Sequence, residues 1–330
     1  MVKKRSDLPK EPSASESEDF SVTDTSSEES TGSDVPSDAS DLELCFTGYN
    51  VCRDDFHCIQ NFLSITFGRG LQSMRGGDVG MVDVSGLTRT LVDVLGEYVG
   101  TTAKSEESEG PLAYVGLLPL TVPVELFYGT NDPEKLSMDE MKAIVHTFRG
   151  LLMETARKSR ADKKVVQKAE AALMTSPDQT AVIFHERYMN LPVEVGAPLY
   201  RQLLDDLPAA QEETKAFAPT TLLLIVPIFR ELASQIDTEG PSKRRKKQRN
   251  VQVNTSEPAE ALSEFQYYYA EDELLEHMNL AHWDFKVKTP HETSDSRRAF
   301  GDRGVDPARR VFILSMDEFR TFEEQCQALL

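Results

Sequence analysis

One α/β domain with a central mixed sheet flanked by helices is what this sequence predicts, and three observations carry the prediction. Short apolar runs of strand length alternate with segments whose apolar residues recur at helical spacing. Two of the runs, Ala181 to Phe184 and Leu222 to Val226, are apolar without a break, as strands covered on both faces are. Two Ser-x-x-Glu sequences, Ser137 to Glu140 and Ser315 to Glu318, have the capping-box spacing that starts helices.

In chain order, Leu42 to Val51 reads as a strand, and Phe56, Ile59, Leu63 and Phe67 then mark a helix. Arg69 to Gly80 reads as a break holding a flexible glycine-rich loop. Leu87, Leu91, Val94, Leu95 and Tyr98 mark a second helix, a weaker break follows from Thr101 to Pro111, and Leu112 to Val122 is the next strand. The helix opened by Ser137 places Met141, Ile144, Val145, Phe148, Leu151 and Leu152 on one face. A helix from about Glu194 to Leu207 separates the two unbroken apolar runs. Phe265 to Tyr269 is a strand with a packed aromatic face, and Glu271 to Asn279 a short helix. Trp283, Phe285 and Val287 alternate with charged residues as in a half-exposed strand. Val311 to Leu314 is the last strand, paired antiparallel with its neighbours, and the helix opened by Ser315 carries Phe319, Phe322 and Cys326.

Lys and Arg number 36 against 55 Asp and Glu, a net charge of -19 and a sequence pI near 4.8. A field of that sign disfavours a nucleic-acid duplex or an anionic membrane and suits a basic protein client. The first 41 residues hold eleven acidic residues against Lys3, Lys4, Arg5 and Lys10, so -7 of the charge lies there and -12 on the other 289 residues. From Glu11 to Asp41 the sequence is almost wholly Ser, Thr, Asp, Glu, Gly and Pro, too poor in apolar surface to offset the entropy of ordering, and residues 1–40 are expected to be a disordered acidic tail. The domain then spans 41–330. Ser13, Ser15, Ser26 and Ser40 each stand three residues ahead of a Glu, the pattern of acid-directed phosphorylation, although an acidic serine-rich tail also produces it by chance.

Residues 237–260 have no apolar periodicity and read as a flexible insertion. Its centre holds Lys243, Arg244, Arg245, Lys246, Lys247 and Arg249, which a nuclear-import receptor reads in extended form; a nucleic-acid or acidic-tail contact is the rival account. The longest apolar run, Leu222 to Phe229, falls far short of the roughly 20 residues of a transmembrane helix. Met1 to Arg5 leads into acid and serine with no apolar core of a signal peptide, and four cysteines suit a reducing compartment.

Enzyme signatures are missing where their mechanics are strict. There is no Walker loop and no nucleophile elbow, and Ser73 stands where a dinucleotide loop needs the third glycine after Gly68 and Gly70. Cys45, Cys52 and Cys58 with His57 lack the paired spacing of a zinc knuckle, and His146, His277 and His282 read as packed or surface histidines. No metal, cofactor or catalytic residue is assigned.

The block His185-Glu186-Arg187-Tyr188-Met189-Asn190-Leu191-Pro192, preceded by Ala181 to Phe184 and followed by Ala197 to Leu203, resembles the Glu-Arg-Phe-Ile-Asn-x-Pro-Pro block of the BCCIP family. Val193 replaces the second proline, and the acidic loop, Ser105 to Glu109, is shorter than is common. The resemblance implies a fold similar to acetyltransferases of the GNAT type without an established activity. It also implies a nuclear, non-enzymatic escort that shuttles to the cytoplasm, exports cargo and chaperones a basic large-subunit ribosomal protein, with cell-cycle and repair roles in animals. An acetyl-CoA-dependent acyltransferase is the alternative. Glu186, Arg187, Asn190 and Pro192 are assigned to architecture, Asn190 capping backbone groups and Pro192 setting a turn at the strand's end.

Overall fold

In the computed structural model, which describes residues 45–106, 108, 110–127, 136–231, 264–288 and 305–330, the two unbroken apolar runs lie side by side within a ten-stranded sheet. The strands are β1 (Phe46–Asn50), β2 (Leu71–Ser73), β3 (Asp78–Gly80), β4 (Gly100–Ser105), β5 (Ala113–Pro119), β6 (Thr180–Arg187), β7 (Thr221–Glu231), β8 (Gln266–Tyr267), β9 (Ala281–Val287) and β10 (Val305–Ser315). Their order is β1-β4-β5-β6-β7-β10-β9-β2-β3, with β8 beside the far part of β7. Among the described strands only β6 and β7 pair parallel, so the sheet is mixed. Every residue of β5 and β6 is buried, the consequence of helices on both faces.

Among the described residues seven helices supply those layers: α1 (Phe56–Phe67), α2 (Val84–Arg89), α3 (Met138–Arg157), α4 (Lys163–Glu170), α5 (Val193–Glu213), α6 (Glu273–His277) and α7 (Met316–Gln327). Alternation along β6 separates them. Phe184 packs against Phe67 of α1 and Phe148 of α3, and on the same side Trp283 donates from Nε1 to Thr155 of α3 at 2.9 Å. His185 turns the other way and stacks on Tyr200 of α5, with ring centres 4.1 Å apart, while Phe319 and Phe322 of α7 meet Tyr200 edge-on. Thus α1 to α4 form one layer and α5 to α7 the other. Both predicted capping boxes are made, Ser137 with Glu140 and Ser315 with Glu318.

Several sequence expectations need correction. The glycine-rich segment from Arg69 to Gly80 is the β2–β3 hairpin, and Leu71 to Ser73 pair with β9. Its strands are too short to show an alternation, and Gly68, at φ +57, lets the chain pass where a Cβ would lie 2.5 Å from the Lys288 carbonyl oxygen. Thr101 to Ser105 is strand β4 rather than a break, because its threonines are buried between neighbouring strands. Helix α5 runs through Pro208, where the sequence suggested a stop, and its last turns keep Ala210 buried. The second predicted helix is split into α2 and a π-helical turn, Thr90–Leu95. Strand β1 begins at Phe46, and β10 is eleven residues long where four were apparent. Ser13, Ser15, Ser26 and Ser40, and the basic run from Lys243 to Arg249, lie outside the described residues.

Candidate functional site

The block that carries the family resemblance sits where the parallel pair parts. Strands β6 and β7 are paired from Thr180 to Ile183 against Thr221 to Leu224; beyond that, Ile228 and Phe229 of β7 take Tyr267 and Gln266 of β8 as partners. The chain after β8 returns to β6, where the Tyr269 hydroxyl donates to the Arg187 carbonyl oxygen at 2.7 Å. One short segment therefore bridges the two diverging strands.

Arg187 points into the layer of α5 to α7. Its Nη1 and Nη2 donate to the two carboxylate oxygens of Glu271, the second at 3.0 Å, and its guanidinium lies 4.2 Å from the centre of the Tyr269 ring. The pair is almost dry, with side-chain exposures of 3% and 0%. Such a pair adds little net stability over an apolar equivalent, but breaking it strands a buried charge. Helix α5 makes room at Gly196, where an added Cβ would lie 1.7 Å from Arg187 Nη1. Asp272, next to Glu271, is buried with neither oxygen hydrogen-bonded among the described residues, as is the Tyr200 hydroxyl. Burial, reinforced by the Glu271 charge, pushes the Asp272 carboxyl well above the usual range. Burial likewise moves His185 down to about 3, so its ring stays neutral against Tyr200.

Glu186 points to the opposite layer, as its neighbour on a strand must. It accepts from the Thr66 hydroxyl of α1 and faces Arg309 of β10, whose Nη2 donates to the Ile65 carbonyl at 2.7 Å. Burial raises the Glu186 carboxyl to about 7, with the Arg309 charge and the Thr66 bond opposing the shift. Glu186 and Arg187 are thus tied to different layers: one to α1 and β10, the other to the segment after β8. None of His185, Glu186, Arg187, Glu271 and Asp272 is more than 6% exposed, so the network braces the sheet's end and presents no reacting group to solvent.

Most of the rest of the block is exposed. Tyr188, Met189, Asn190 and Pro192 lie at the surface, and Asn190 lines a cavity of 360 Å³ with Phe46, Ser105, Leu112, Tyr188 and Leu191. Asn190 does not cap α5. The N-cap is Pro192, which has no side-chain acceptor to offer. Among the described residues no group of three or more His, Cys, Asp or Glu could hold a metal ion.

A feature that sequence reading missed lies on the surface above Arg187. Helices α5, α6 and α7 hold five, two and four acidic residues against only Arg201 and Arg320. Glu323 is buried against Arg201 at 2.8 Å, but Glu194, Asp205, Glu212, Glu213, Glu273, Glu276, Asp317, Glu318 and Glu324 are exposed. The opposite layer, α1 to α4, has four acidic residues and seven basic ones. No linear signal reports this division, because the three acidic helices are far apart in the chain.

These features define a class: an α/β protein with an internally braced sheet end, a strongly acidic helical face and an exposed loop between them. The match of residues 42–275 to the BCCIP family model makes the assignment specific. The chain belongs to the BCCIP family. It is similar to Protein BCP1 of Debaryomyces hansenii, 27% identical over 271 residues that cover 80% of this chain and 78% of that protein. It is also similar to Protein bcp1 of Emericella nidulans, 23% identical with 88% of each chain covered. Among solved structures, the crystal structure of BCP1 from Saccharomyces cerevisiae superimposes with a TM-score of 0.46 at 14% identity, covering 88% of this chain and 91% of that one.

Proposed function

We propose that this protein is a non-enzymatic nuclear escort for basic protein clients, a large-subunit ribosomal protein among them. In this reading an import receptor takes the Lys243 to Arg249 run, and the loaded protein shuttles between nucleus and cytoplasm. The observation that carries the reading is the acidic face of α5 to α7. Nine exposed carboxylates over one helical layer attract a lysine- and arginine-rich surface before contact, raising the association rate and shielding the client's charge. Each exposed pair is worth about 0.2–1 kcal/mol, so binding needs many of them at once and weakens with salt.

The decisive experiment is retention of basic ribosomal proteins on the immobilised full chain at about 50 and about 500 mM salt. Retention that falls steeply with salt, and falls again when Asp205, Glu212 and Glu213 are changed to Asn and Gln, is the expected result. Retention indifferent to both changes excludes the acidic face as the client surface.

An acetyl-CoA-dependent acyltransferase on a GNAT-type sheet needs space between parting parallel strands and backbone amides free to meet a pyrophosphate. Here the Tyr269 to Arg187 bridge and the Arg187–Glu271 pair lie where β6 and β7 part, which supports the escort reading over this one. We read the sheet as a scaffold. Millimolar acetyl-CoA is accordingly expected to leave the melting temperature unchanged, whereas a bound ligand far above its Kd stabilises by a few kcal/mol.

A further inference from the structure

The α3–α4 hairpin lies on the face opposite the acidic helices, since α3 packs on β9 and α4 follows it there. Between Arg157 and Lys168 it holds six basic residues, Arg157, Lys158, Arg160, Lys163, Lys164 and Lys168, with Asp162 the one carboxylate among them. Arg157 is paired with Glu170 at 3.0 Å and Lys158 with Glu154 at 3.1 Å. Arg160, Lys163, Lys164 and Lys168 are exposed and have no ion-pair partner among the described residues. In a chain of net charge -19, four exposed cations on one short hairpin are a local reversal of the field.

Next to them the sheet's other end opens into a cavity of 370 Å³. Lys168 stands in its wall with Ser176, Gln179, Thr180, Thr221 and Asn279, and the one acidic group lining it is Glu318. We propose that the α3–α4 hairpin and this cavity form a docking site for a short acidic peptide segment of a partner protein. The segment's carboxylates pair with Arg160, Lys163, Lys164 and Lys168, and one of its side chains enters the cavity beside Lys168, where hydroxyl and amide groups can bond it.

Size favours a peptide over a nucleic acid. From Lys163 to Lys168 the helix rises only about 8 Å, room for a few charges. Longer polyanions run off the hairpin onto the rest of α1 to α3, whose few acidic and basic residues nearly cancel, and the Debye length of about 8–10 Å confines the favourable field to the patch. The hairpin offers no exposed aromatic ring for base stacking among its described residues, which single-stranded nucleic acid uses for much of its affinity. The site does not depend on the escort reading, because its four cations lie on the other helical layer, and of the acidic face only Glu318 reaches the cavity wall.

The test is fluorescence anisotropy of a labelled octa-aspartate peptide with the full-length protein at about 50 mM salt, against an RNA octamer of matched charge. The expected result is saturable peptide binding that weakens about tenfold or more by about 300 mM salt. The same loss is expected in a Lys163→Glu, Lys164→Glu, Lys168→Glu variant that melts with the wild type, and a smaller one in the Lys→Gln triple variant. Peptide affinity unchanged in both variants overturns the proposal. So does an RNA affinity that exceeds the peptide's and falls with the same substitutions, which would make the hairpin a phosphate-backbone contact.

Discussion

Replacing Arg187 by alanine is the most direct test of the buried network. The substitution removes both hydrogen bonds to Glu271 and the contact with the Tyr269 ring, and it leaves Glu271 fully buried without its counter-charge. Breaking such a pair from one side costs about 3–5 kcal/mol. At about 2–4 °C per kcal/mol for a domain of roughly this size, that is a fall in Tm on the order of 6–20 °C. The companion variant separates the pair's net worth from the cost of orphaning one partner. Changing Arg187 to Met and Glu271 to Leu together removes both charges and keeps most of the volume, so it should recover most of the loss. Urea melts of wild type, Arg187→Met, Glu271→Leu and the double variant form a cycle whose coupling energy is the pair's contribution. The argument fails if Arg187→Ala costs less than about 1 kcal/mol, or if the double variant is as unstable as the single ones. Because the guanidinium rests on α5 at Gly196, the acidic layer should loosen with it, and salt-sensitive client retention should fall alongside Tm.

Further outcomes follow from the same geometry. Gly196→Ala should destabilise nearly as much as Arg187→Ala, since its Cβ takes the place of Arg187 Nη1, and a Tm within about 2 °C of wild type would show that the guanidinium is not held there. Glu186 has its folded-state carboxyl raised from 4.5 to about 7, so its contribution to stability is complete below about 4.5 and is lost as pH rises through about 7. The Tm of Glu186→Gln minus that of wild type should therefore climb across that window, and a difference flat with pH would contradict the raised value. Ser315→Ala removes the hydroxyl that accepts from the Glu318 amide in the α7 capping box, and chemical denaturation should register a loss of about 1 kcal/mol. Alanine in place of Lys243, Arg244, Arg245, Lys246 and Lys247 should leave Tm unaltered and shift the protein to the cytoplasm by fluorescence microscopy, unless import is piggy-backed on a client.

Residues acting through local chemistry were legible in the sequence. The apolar runs of β6 and β7 declared strands buried on both faces because no polar residue interrupts them, and the two Ser-x-x-Glu boxes declared the starts of α3 and α7 because capping is decided within four residues. Neighbours on a strand face opposite ways, which by itself parts Glu186 from Arg187. What each one meets was not legible. Glu271 lies 84 residues from Arg187, and Arg309 lies 123 residues beyond Glu186; only the return of the chain from β8 and the docking of β10 bring them within reach. Strand β4 and the β2–β3 hairpin were equally hidden, since threonine and glycine become strand residues there through neighbours the chain supplies elsewhere. The net charge was written in composition, but its division between an acidic and a basic helical layer was not. Charge is a sum over residues that any order preserves, whereas a field at a surface depends on which helices the topology sets side by side.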